Sequence, residues 1–153
     1  MWMFDLPGKL TCFLVVLVFL TPIVASGADQ QECMEAATTQ LERNQCATTH
    51  LKTVDDELNR VYQAILSKYK DDRAFLEKLR NAQRAWLTFL DAELEAKFPF
   101  EDKQSHHGSV YPMCANLFLT QRMQERIKHL REWLDGTEEG DVCAGSVQYK
   151  RAP

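Results

Sequence analysis

The chain has 153 residues, with 18 lysines and arginines against 22 aspartates and glutamates, for a formal net charge of −4. This length suits a single domain with one core rather than two. The acidic balance argues against nucleic acid and anionic membranes as partners and favours a cationic one.

The first element reads as a secretory leader, residues 1–28. Lys9 precedes an apolar run from Leu10 to Leu20, followed by Pro22 and the small residues Ala25, Ser26, Gly27 and Ala28. That run is shorter than the ~20 residues a membrane-spanning helix requires. Neither Cys12 nor Cys33 sits in the small-residue context of a lipid-modified cysteine. The expectation is a periplasmic or secreted protein, with residues 29–153 as one helical domain that keeps no membrane attachment after the leader is removed. Losing Asp5 and Lys9 together leaves the net charge unchanged.

The segment "QQECMEAATTQLERNQ" predicts a short helix that turns near Asn44. From Ala47 to Lys68, Leu51, Val54, Leu58, Val61, Ile65 and Leu66 recur every three or four positions and form one helical stripe. "KDDR" breaks it. A second stripe, Phe75, Leu76, Leu79, Trp86, Leu90 and Leu94, ends near Phe98-Pro99, because proline disfavours helix in the residue before it. A third runs from Pro112 to Leu134 through Leu119, Met123, Ile127 and Leu130, with Gly136 placed to stop it. The residues from about 137 onward, including "DGTEEGDV", read as a flexible solvated tail, since their acids lack the alternating spacing of a calcium loop. No stretch alternates with period two. The predicted fold is all-α: an antiparallel helical hairpin, a third long helix and a short N-terminal helix, stapled by disulfides.

Between the second and third stripes lies "FPFEDKQSHHGSVYP", residues 98–112, longer than most connections in a bundle. It carries Glu101, Asp102, Ser105, His106, His107, Ser109 and Tyr111, which make it the candidate partner-binding loop. Two adjacent histidines without a third ligand at defined spacing do not make a metal site. His50 and His129 fall on helices, as surface or boundary residues.

Polar residues also fall where the helices should meet. Asp55, Asn59 and Tyr62 share one face of the first long helix, and Gln83 and Arg84 flank Trp86 on the second. If the second and third long helices pair residues whose numbers sum to about 209, Arg122 and Arg126 join the same levels. These groups predict a buried polar layer that satisfies its own hydrogen bonds and fixes helix register. Catalysis would need an activated nucleophile or a paired acid and base in a cleft, and the sequence shows neither. The chain therefore reads as a non-enzyme without cofactor or metal.

Cys33, Cys46, Cys114 and Cys143 remain after the leader, an even number in an exported chain, and imply two disulfides. Cys114 to Leu134 spans ~30 Å as helix, whereas Leu134 to Cys143 reaches back at most ~30 Å fully extended. That disfavours Cys114 with Cys143 and, if all four pair, Cys33 with Cys46. Cys46 with Cys114 and Cys33 with Cys143 is the expected connectivity, with Cys33 to Cys114 its close rival.

"DDELNRVY" (Asp55 to Tyr62), "AQRAWLTFLDAE" (Ala82 to Glu93), "GS" (Gly108 and Ser109) and "LTQRMQERIKHL" (Leu119 to Leu130) closely resemble the LprI-like lysozyme inhibitor domain family. Asp55, Leu58, Asn59 and Tyr62 match one motif, Ala82, Gln83, Arg84 and Trp86 a second, and Leu119, Thr120 and Arg122 a third. Cys33 and Cys46 match the family's first cysteine pair. Leu90 and Leu94 stand where the family usually has arginine and cysteine. The resemblance implies a helical exported protein that inhibits a c-type lysozyme or a related cationic cell-wall hydrolase by occluding its cleft. A periplasmic helical binding or scaffold module with another partner is the alternative.

Overall fold

The structure, a computed structural model, describes residues 27–150. The expected leader lies outside the described residues except for its last two positions. Five α-helices follow one another: α1 (Gly27–Ala36), α2 (Gln40–Lys68), α3 (Arg73–Lys97), α4 (Lys103–His107) and α5 (Tyr111–Asp135), with a 3₁₀ turn (Gly108–Val110) between the last two. Among the described residues there is no strand, and Thr137 and Tyr149 form an isolated bridge. None of the described helices is long and apolar enough to cross a membrane.

Local chemistry sets the boundaries. Thr39 caps α2 through a reciprocal box: its hydroxyl accepts from the Glu42 N–H at 3.2 Å, and the Glu42 carboxylate accepts from the Thr39 N–H at 2.9 Å. The break between the first two helices therefore falls at residues 37–39, earlier than the turn expected near Asn44. The signal was the Thr-x-x-Glu spacing of Thr39 and Glu42. Asp72 caps α3 by accepting from the Phe75 N–H at 2.9 Å. The third long helix begins with Pro112 in its first turn, where a missing N–H costs nothing. It stops at Gly136, whose φ of 76° suits glycine and where a Cβ would lie 2.8 Å from the Gln148 carbonyl oxygen.

α2 and α5 run parallel and pack most closely, tied by Thr48 to Asn116 and Lys68 to Trp133, while Asn44 of α2 bonds to Ser109 in the 3₁₀ turn. α3 runs back between their ends and leans on α5 rather than on α2. The core joins Val54, Leu58, Val61 and Ile65 of α2 to Leu76 and Leu79 of α3 and to Ile127 and Leu130 of α5. Ile65 and Leu130 are fully buried, each removing a side chain from water at a gain of roughly 1.5 to 3 kcal/mol.

One disulfide joins Cys33 to Cys46, with Cα atoms 5.8 Å apart, while Cys114 and Cys143 are free thiols. This corrects the expected Cys46–Cys114 and Cys33–Cys143 pairs. The exclusion of Cys114 with Cys143 agrees with this arrangement; the error lay in requiring all four cysteines to pair. The three-residue break after α1 folds that helix back along α2 and brings Cys33 to Cys46, which lies inside α2 rather than at its start. The tail expected to be flexible also folds back. The Thr137 N–H donates to the Gln148 carbonyl and the Lys150 N–H to the Thr137 carbonyl, at 3.1 and 2.8 Å. The Tyr69 hydroxyl accepts from the Gln148 N–H and donates to the Trp133 carbonyl, at 3.0 and 3.1 Å.

Candidate functional site

The connection at 98–112 is exposed yet internally braced. Phe98, buried at the end of α3, meets Tyr111 and His107 edge-on, with ring centroids 5.2 and 5.3 Å away. Asp102 caps α4, accepting from the Ser105 N–H at 2.9 Å and from the Ser105 hydroxyl at 2.6 Å. These bonds, led by the hydroxyl, hold the Asp102 carboxyl below its ordinary pKa, so it stays ionised. Lys103 reaches back to Glu95 at 2.7 Å, a bond that raises the lysine's pKa. Asn44 of α2 donates to the Ser109 carbonyl at 2.9 Å. Glu101, Asp102, Ser105, His106 and Ser109 are left exposed, while His107 and Tyr111 are half-buried. The His107 Nε2 has no hydrogen-bond partner. The residue that sequence reasoning missed is Phe100, 44% exposed and stacked on His106 at 3.9 Å. Its signal was the second aromatic of Phe-Pro-Phe.

The second group of expected site residues separates into four. Arg126 donates through Nε to Gln83 at 3.0 Å and lies over the Trp86 ring, 5.7 Å from its centroid. This pairing fits the expected register of the second and third long helices. Burial disfavours the Arg126 charge, an effect the neighbouring Tyr62 opposes. Arg122 sits farther along, between Glu125 at 3.0 Å and Glu93 at 3.4 Å. The Glu93 contact is an ion pair without hydrogen-bond geometry, because the buried Arg122 Nε lacks a partner. Asn59 donates to Asp55 at 3.2 Å, and Arg84 turns to Asn81. Asn59 and Arg84 are exposed, so the continuous buried layer expected from the sequence is not formed. The reason is the placement of α3 against α5 rather than α2, which leaves Asn59 exposed and Asp55 only half-buried. What remains is a shallow cleft of about 210 Å³ between α3 and α5, walled by Trp86, Phe89, Arg122 and Arg126.

Among the described residues no cluster of three or more His, Cys, Asp or Glu is arranged to hold a metal ion. The lysozyme inhibitor LprI family model matches residues 33–130, which include both the braced connection and the α3–α5 cleft. An uncharacterized protein of Rhizobium meliloti (strain 1021) is 28% identical over 121 residues, covering 71% of this chain and 83% of its own length. No solved structure matches the chain. With well over half of its length matched, including every polar motif just described, the protein belongs to the lysozyme inhibitor LprI family.

Proposed function

We propose that the protein is exported and inhibits a c-type lysozyme by placing the 98–112 connection across the enzyme's cleft. The observation that carries this reading is the connection's combination of exposure and bracing. Glu101, Asp102, Ser105, His106 and Phe100 face solvent, while Phe98, Tyr111 and the Asp102 cap fix the backbone beneath them. A segment already held in shape loses less conformational freedom when it binds. C-type lysozymes are cationic and use two carboxyl groups in an open cleft, so a net charge of −4 favours encounter and a rigid protrusion suits occlusion.

The test is lysis of a cell-wall suspension by a c-type lysozyme with and without the protein. Lysis slows in proportion to added protein, and less so at high salt, because charges more than ~10 Å apart are screened at 0.1 M ionic strength. Replacing Ser105 to Ser109 with glycine and serine abolishes inhibition and lowers helical circular dichroism by no more than the short α4 contributes. Full lysis at a large molar excess in low salt defeats the proposal. Inhibition that survives the replacement moves the contact surface to the α3–α5 cleft, where Phe89 is 56% exposed.

A further inference from the structure

α1 docks on the first half of α2 with few large side chains between them. Its sequence, GADQQECMEA, presents mainly small or polar groups. Where a core would normally be filled, a half-open and largely apolar cavity of about 560 Å³ remains, with Cys33, Ala36, Ala37, Cys46, Thr49 and His50 in its lining. That volume falls in the range of small-molecule sites, roughly 300 to 1,000 Å³.

Two independent observations define what would fit. His50 is only 7% exposed and its Nε2 has no hydrogen-bond partner; an unmatched buried polar atom is costly, and a ligand hydroxyl or amine could satisfy it. The lining also contains two exposed acids, Asp29 and Glu42, and no lysine or arginine. A carboxylate or phosphate entering there would meet like charge and find no counter-charge.

We infer that the cavity between α1 and α2 is a binding site for a small amphipathic molecule with an apolar body and a neutral or cationic head, hydrogen-bonded to His50. Burial lowers the His50 imidazole pKa and so favours the neutral ring, which does not repel such a head. The Cys33–Cys46 bond holds the wall of the site in place. This site shares no residue with the braced connection.

The experiment is an NMR titration of the purified protein with n-octylamine, n-octanol and sodium octanoate, each below its micelle concentration. The expected result is a saturable shift of the His50 ring and of the Ala36, Ala37 and Thr49 methyl signals with octylamine and octanol. Octanoate binds about tenfold more weakly or not at all, since two nearby like charges cost on the order of 1 kcal/mol. Ala37→Trp and Thr49→Trp, which fill the space from either side, remove the shifts, and whichever variant keeps the wild-type melting temperature decides. Reduction of the disulfide also removes them while most of the helical signal persists. Equal binding of octanoate, shifts that survive in the folded filled variant, binding that survives reduction, or no saturable shift with any probe would each overturn the assignment.

Discussion

Thr120 shows how a single side chain can contradict its setting. It is 3% exposed on the face of α5 turned toward the core, and its hydroxyl has no hydrogen-bond partner. A buried polar group left unmatched costs roughly 1 to 3 kcal/mol, and an isosteric apolar replacement removes that cost. Thr120→Val is therefore expected to raise stability by about 1 kcal/mol, read as a higher urea midpoint at unchanged slope. A lower midpoint would show that the hydroxyl is satisfied in solution. At this scale the sequence was legible for apolar residues: Val54, Leu58, Val61, Ile65, Leu76, Leu79, Ile127 and Leu130 were all read as core and all are buried. It was less legible for polar ones. Asn59 and Arg84 are exposed although motif and spacing put them inside, because periodicity identifies a residue's helical face but not which helix covers that face.

Among the elements, the start of α2 carries the clearest electrostatic consequence. Glu42 accepts from the Thr39 and Thr38 backbone N–H groups and from the Thr38 hydroxyl, and these bonds, led by the Thr39 amide, lower its pKa from 4.5 to about 2. A carboxylate depressed in the folded state adds stability that is present above its ordinary pKa and lost as pH falls through the folded value. Glu42→Gln should therefore lower the melting temperature at pH 7. The difference from wild type should shrink between pH 4.5 and about 2, whereas a constant difference across that window would assign the loss to packing. The element boundaries that sequence reasoning placed well were those set by proline and glycine, at Phe98-Pro99, Pro112 and Gly136. The α1–α2 break was misplaced because its signal is a side-chain cap within an otherwise helix-compatible run. The disulfide was misread for a related reason, since its geometry depends on that break.

At the scale of the whole molecule, the parallel pair α2 and α5 forms the trunk, and the tail closes over one end of it. The tail is engaged in two ways: Trp133 donates from its indole nitrogen to Ser146 at 3.1 Å, and Tyr69 bonds to Gln148. Removing residues 136–153 leaves the Tyr69 hydroxyl without its Gln148 donor and uncovers Trp133. A loss of roughly 1 to 3 kcal/mol is expected from the broken hydrogen bonds and re-exposed ring, seen as a lower melting temperature with the lysozyme response retained. An unchanged melting temperature would mean the tail rests on the trunk without supporting it. The helical class was legible because three long stripes carry it; the docking of the tail was not, since "DGTEEGDV" has too little apolar surface to announce a contact.

That docking bears on where the protein can be cut. The matched region ends at Leu130, yet Tyr69, 2% exposed near the α2–α3 turn, finds its donor at Gln148. The stretch that the family model matches and the stretch that folds as a unit are thus different in this chain. A fragment trimmed to the matched stretch would lose the last turn of α5 and the cover over Tyr69 together, and inactivity in such a fragment would report on folding before it reported on lysozyme.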